Sequence, residues 1–168
     1  MELASSMVQV IGGIKLLAID VDGVLTDGGV YIANDGGEYR RFNIKDGLGL
    51  KRAMEAGIEV TIISSGACES ILHRARQLGI NEVHIGVANK LDVLKSICSA
   101  KQISLDEVCY IGDDLPDLPV MQAVGLACAP EDAVEEVKQA ALFVAQALGG
   151  HGAVRELIDI LLNWKNHE

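Results

Sequence analysis

The sequence predicts an α/β domain in which helices sandwich a parallel sheet, with a β-hairpin inserted after the first strand. Three observations predict it. Short apolar runs alternate with stretches of helical periodicity along most of the chain. Those runs are continuously apolar, the pattern of strands covered on both faces. The chain holds 18 glycines against three prolines, which suits many tight turns between regular elements.

Residues 1–13 read as an N-terminal extension, a short helix or a loose tail. They lack a basic segment ahead of a long apolar stretch, so they do not read as a signal peptide. KLLAID at 15–20 is the first buried strand and ends on an acidic side chain. Residues 28–43 break the alternation. Two β-prone runs there flank Asp35-Gly36-Gly37, and the Asp-Gly pair marks a hairpin turn. Leu48, Leu50, Ala53 and Met54 recur at helical spacing across 46–56, and Gly57 stops that helix. IEVTII at 58–63 is the second buried strand, residues 67–78 are helical up to Gly79, and EVHIG at 82–86 is the third strand. Leu91, Leu94, Ile97 and Cys98 share one face of a helix over 89–101. Ser104 and Glu107 have the spacing of a capping box, but a strand follows at once, which argues against a helix there. VCYIG at 108–112 is the fourth core strand. A short helix, the strand GLACA, a helix over 132–140, the strand LFV and a helix over 152–164 finish the pattern.

Composition narrows the function classes. A length of 168 residues without repeats or linkers suits one domain. Apolar residues make up 49% and aromatics only 4%, so the core is built from Leu, Ile, Val and Ala. Cys68, Cys98, Cys109 and Cys128 form no Cys-x-x-Cys pair, which argues against zinc and for the reduced thiols of a cytoplasmic protein. No apolar run is long enough to span a bilayer. A net charge of −10 disfavours nucleic acid and anionic membranes as partners.

The chemistry lies where a parallel sheet binds ligands, beyond the carboxyl ends of its strands. Asp20 and Asp22 follow the first strand. Two carboxylates two residues apart can serve as nucleophile and as general acid and base, and Gly23 permits the turn that brings both to one ligand. An acidic loop that merely caps the next element is the plain alternative. Asp113, Asp114 and Asp117 follow the fourth core strand, where three carboxylates within five residues call for a hard cation such as Mg²⁺. Asp113 is the expected ligand. Asp117 fits a helix cap equally well. Ser64 follows the second strand and can hydrogen-bond a phosphoryl oxygen, and Lys90 supplies positive charge in an acidic chain. Each is weak alone, and their order relative to the acidic clusters adds the specificity.

The set Asp20-x-Asp22-Gly-x-x-Thr26, Ser64, Lys90 and Gly112-Asp113-Asp114-x-x-Asp117 resembles the haloacid dehalogenase superfamily of phosphatases, whose fold is a Rossmann-like sheet. Three further stretches narrow the resemblance. They are Phe42-Asn43-x-x-Asp46-Gly47, the run from Gly112 to Met121, and Gly149-Gly150-x-Gly152-Ala-Val-Arg155-Glu156. With them, residues 14–164 resemble the capless 3-deoxy-D-manno-octulosonate 8-phosphate phosphatases, and the related nine-carbon sugar-acid 9-phosphate phosphatases share most of the pattern.

The resemblance implies an Mg²⁺-dependent phosphatase acting on a phosphorylated 2-keto-3-deoxy sugar acid in lipopolysaccharide biosynthesis. It implies Asp20 as nucleophile, Asp22 as acid and base, and Mg²⁺ on Asp20, Asp22 and Asp113. Ser64 and Lys90 would hold the phosphate, with Asp114 and Thr26 in support. It also implies a homotetramer whose hairpins close neighbouring active sites, where Arg40, Arg41 and Lys45 bring positive charge. Arg155, His151 and Gly66 are the expected substrate residues. Two of these depart from the family, which usually reads Thr-Gly-Arg where this chain has Ser64-Ser65-Gly66, and Arg where it has His151. The departures leave the nine-carbon ester open as substrate. Two other classes share some of the residues, a phosphorelay receiver and an idle oligomerisation module. The Asp-x-Asp-Gly-x-x-Thr run argues against the first, and the intact Asp20, Asp22, Lys90 and Asp113 argue against the second.

Overall fold

A computed structural model of the chain describes Met7 and residues 10–165. Most of the predicted N-terminal extension lies outside the described residues, but Met7 and Ile11 are buried in the core. Among the described residues, six strands form one parallel sheet. They are β1 (Leu16–Ile19), β4 (Glu59–Ile63), β5 (Glu82–His84), β6 (Val108–Ile111), β7 (Leu126–Ala129) and β8 (Phe143–Val144), in the order β5-β4-β1-β6-β7-β8. β1 is central, in register with Glu59 of β4 and Val108 of β6 at its first residue, Leu16.

The strands read as continuously apolar because both faces of the sheet are buried. Leu17 and Ile19 point into one core, with α1 (Ile44–Glu55), α2 (Glu69–Leu78) and α6 (Ala153–Lys165). Leu16 and Ala18 point into the other, with α3 (Lys90–Lys101), α4 (Leu118–Met121) and α5 (Glu135–Ala140). This is the two-residue period of a strand, read twice. Every residue of β1 is fully buried. Truncating Leu16 or Leu17 to alanine would therefore cost about 2–5 kcal/mol.

Local signals set the ends. Asn43 caps α1 by accepting from the Lys45 amide at 2.8 Å, and Asn89 caps α3 by accepting from that of Asp92 at 3.3 Å. Gly57 and Gly79 lie just beyond α1 and α2, as the sequence predicts.

The structure differs from the sequence reading in three places. Ser104 and Glu107 do form a capping box, on a single 3-10 turn (Leu105–Glu107) directly before β6. One turn is enough to present the amides that the box satisfies, so no longer helix is needed. The helix expected over 132–140 starts only at Glu135. The hairpin is formed, but its antiparallel strands β2 (Tyr31–Ile32) and β3 (Glu38–Tyr39) are two residues each. With no second layer under them, Tyr31, Ile32 and Tyr39 are exposed, and the Thr26–Phe42 bridge pairs the hairpin base with the domain backbone.

Candidate active site

β1, β4 and β6 lie side by side, and the residues that follow them meet in one open pocket of about 300 Å³. Asp20, Asp22, Ser64, Gly66, Lys90, Asp113, Asp114 and Asp117 line it.

The loop after β1 is shaped by Thr26. Its buried hydroxyl donates to the Val21 carbonyl and accepts from the Gly23 and Gly28 amides, each at 3.3 Å. Thr26 therefore folds the loop and does not itself line the pocket. Gly23 has φ +80°, and a Cβ there would sit 1.9 Å from Asp113 Oδ2. The missing side chain thus lets the Asp113 carboxylate close on the first loop.

Asp20 is 7% exposed and receives Lys90 Nζ on Oδ1 at 2.8 Å. Burial, joined by the nearby Asp117 charge, raises its pKa to about 6 against the pull of Lys90. Lys90 opens α3, is itself buried, and places Nζ 2.7 Å from Asp117 Oδ1. Burial disfavours its charge, but Asp20 and Asp117 together outweigh burial and raise its pKa.

Asp117 is fully committed. Oδ1 accepts from Lys90 and from the Tyr110 hydroxyl at 2.5 Å, and Oδ2 accepts from the Asp113 and Asp114 amides at 3.0 and 3.3 Å. Burial, reinforced by the Asp117 charge, holds the Tyr110 pKa well above its ordinary value.

Asp113 is the opposite case. Its Oδ1 is buried with no hydrogen-bond partner. Burial, followed by the charges of Asp20, Asp117 and Asp114, pushes its pKa up to about 8. Oxygens of Asp20, Asp113 and Asp117 lie within 4.8 Å of one another. Such a cluster, with one orphaned carboxylate oxygen, fits a hard divalent cation. Asp20 and Asp113 have oxygens to give it, whereas those of Asp117 are taken.

Ser64 is 1% exposed, and its Oγ accepts from the Gly66 amide at 3.1 Å. Asp114 caps the Leu115 amide at 2.7 Å. Asp22 lines the pocket and bonds Arg40 Nε through Oδ1 at 2.7 Å.

Two expected substrate residues do not join the pocket lining. The Arg155 guanidinium pairs with Asp159 one helical turn on, at 2.8 Å, because that carboxylate shares its helix face. His151 lies 2.8 Å through Nδ1 from the Gly149 carbonyl and 3.3 Å through Nε2 from Arg41 Nη1. A carbonyl only accepts, so Nδ1 carries the hydrogen and Nε2 accepts from Arg41. The sequence pattern offers Asp117 as a helix cap and does not single out Tyr110. The one signal for Tyr110 was a hydroxyl inside a buried strand, which must find a partner.

Comparison with known proteins follows the same lines. A family model described as haloacid dehalogenase-like hydrolase matches residues 81–157. The chain is 42% identical over 149 residues to the 3-deoxy-D-manno-octulosonate 8-phosphate phosphatase KdsC of Escherichia coli K12, covering 89% of this chain and 79% of that protein. The crystal structure of the corresponding Yersinia pestis phosphatase is similar at 38% identity and TM-score 0.95, over 98% of this chain and 89% of the other. That of the Moraxella catarrhalis phosphatase, in complex with magnesium, phosphate and KDO, is similar at 34% identity and TM-score 0.93, over 96% and 92%.

Proposed function

Since the chain belongs to the haloacid dehalogenase-like hydrolases, and within them to the 3-deoxy-D-manno-octulosonate 8-phosphate phosphatase family, we propose that it hydrolyses that eight-carbon ester to KDO and phosphate. It is a phosphoric monoester hydrolase. The observation that carries the reading is the meeting of Asp20, Asp22, Ser64, Lys90 and Asp113 in one pocket.

Asp20 attacks phosphorus in line and becomes an aspartyl phosphate, with Lys90 holding its carboxylate in place. Asp22 gives a proton to the departing sugar oxygen, then takes one from the water that cleaves the acyl phosphate. The Ser64 hydroxyl and the Lys90 ammonium offset charge on the phosphoryl oxygens. Asp114 fixes the turn after β6. Asp20 and Asp113, whose oxygens cluster, and the Asp22 backbone carbonyl would hold Mg²⁺, and the Moraxella relative's complex contains magnesium. When bound, the ion supplies positive charge that screens carboxylate from phosphate.

The product is a building block for lipopolysaccharide, and the reaction belongs in the cytoplasm. The working form is a homotetramer. The exposed Val30, Tyr31, Ile32, Tyr39 and Ile44 support a hairpin that packs on a neighbour. The nine-carbon ester is the alternative substrate, because Gly66 and His151 stand where the family usually has arginine.

The test is phosphate release from phosphorylated 2-keto-3-deoxy sugar acids, with and without chelator. The eight-carbon ester is expected to have the higher kcat/KM. Asp20→Asn is expected to remove essentially all turnover, as an amide cannot form the acyl phosphate. A preference for the nine-carbon ester would reassign the substrate, and near wild-type turnover in Asp20→Asn would overturn the mechanism.

A further inference from the structure

Resting on the acid–base role proposed for Asp22, we infer that Arg40 is a positioning residue. It occupies Asp22 Oδ1, so that the exchanged proton is carried on Oδ2, the oxygen facing Gly66.

Arg40 follows β3 on the hairpin, next to the exposed Tyr39, yet its side chain is only 6% exposed. A guanidinium is not withdrawn from water without partners that repay its desolvation. Nε donates to Asp22 Oδ1 at 2.7 Å, and Nη1 donates to Glu38 Oε2 at 3.2 Å. Glu38 thus holds one edge of the planar group while the other addresses Asp22. The hairpin reaches into the pocket of its own subunit through this side chain.

The other carboxylate oxygen meets a different wall. A Cβ on Gly66 would sit 2.7 Å from Asp22 Oδ2 and 3.4 Å from Ser64 Oγ. Ordinarily a carboxylate tip moves aside for a methyl group. Here Oδ1 is tied to a buried guanidinium, and the tip has lost that freedom. Gly66 does not have a positive φ, so its backbone tolerates alanine, and what excludes a side chain is the neighbouring oxygen. Oδ2 is therefore open to a reacting oxygen on the side of Ser64. Oδ1 already accepts an N–H, and a proton placed there would confront it. The two carboxylate oxygens are thus unequal, and residues 40 and 66 make them so.

The experiment measures first-turnover release of the alcohol from two esters, the sugar-acid phosphate and p-nitrophenyl phosphate. Nitrophenolate leaves without a proton, so only the sugar ester needs Asp22 as acid. Arg40→Gln is expected to slow sugar release about a hundredfold with KM little changed, while nitrophenolate release stays within about threefold of wild type. Arg40→Lys is expected to recover part of the sugar rate, because it restores a cationic donor without the fork. Gly66→Ala approaches Oδ2 from the opposite wall and leaves the hairpin untouched. It is expected to slow the sugar ester more than nitrophenyl phosphate, whatever loss both share, so the question remains answerable if Arg40→Gln fails to fold. Equal slowing of both esters, or a raised KM at unchanged kcat, would overturn the inference. Asp22→Asn separates the two levels. If it lacks the leaving-group selectivity, the acid–base reading falls and this inference with it. If it has the selectivity and Arg40→Gln does not, only the inference falls.

Discussion

Asp117 does more for the site than its place in the chain suggests. Its two oxygens meet four donors, from Lys90, Tyr110 and two backbone amides, and Lys90 bonds Asp20 as well. An asparagine has the same shape but turns one acceptor into a donor, so on one side N–H would face N–H. Removing one partner of a buried pair costs about 3–5 kcal/mol. Asp117→Asn is expected to lose stability on that scale in urea denaturation and to lose most turnover. A loss below about 1 kcal/mol, the level of an exposed pair, would show that the network is not coupled. Sequence order was enough to bring Asp20, Asp22, Ser64, Lys90 and Asp113 together, because each follows a strand end or opens a helix above the sheet. It could not choose partners across space. Asp117 and Lys90 are 27 residues apart. Arg155 pairs with a carboxylate on its own helix.

At the scale of elements, strands and helices were legible to within a few residues, because periodicity and glycine stops act locally. The hairpin was legible as a turn but not as a surface. Alternation says which side chains share a face and nothing of what covers that face. Ile32 is 70% exposed at its tip. If the hairpin packs on a neighbouring subunit, Ile32→Glu places a charge in that contact and is expected to lower the mass seen by light scattering. The circular dichroism of the fold is expected to stay as it was. An unchanged mass would remove the hairpin from the interface, since a desolvated, unpaired carboxylate is not tolerated there.

For the whole molecule, continuously apolar strands announced a parallel sheet, but strand order had no local signal, since each strand carries the same pattern. Charge is the other global quantity. Burial and neighbouring carboxylates raise the pKa of Asp20 to about 6 and that of Asp113 to about 8, both from 3.8. The folded chain therefore holds protons that the unfolded chain has released, from about pH 4 upward. Stability from these groups is present at low pH and is lost as pH rises towards 8. A bound divalent cation favours the ionised carboxylates and reverses that loss. The gain in Tm on adding Mg²⁺ is expected to grow steadily between pH 5 and pH 8. In chelator at pH 8, Asp113→Asn is expected to melt above wild type, as it removes a repulsive charge. A magnesium effect that is flat or shrinking with pH would place the ion elsewhere.

The two cores have a further consequence for how this chain tolerates change. Asp20 is carried by β1 directly after Ile19, which packs with α1, α2 and α6. Lys90 and Tyr110 belong to elements packed in the other core, with α4 and α5. The 2.8 Å pair between Asp20 and Lys90 therefore joins two bodies, the sheet that both cores share and the helix layer on one face of it, like a mark scribed across a joint. Repacking either body by a methylene shifts one half of the mark against the other, long before either body comes apart. Drift in residues remote from the pocket should thus be filtered by alignment first and by folding only afterwards. Paired substitutions that move both bodies together should be the ones that persist.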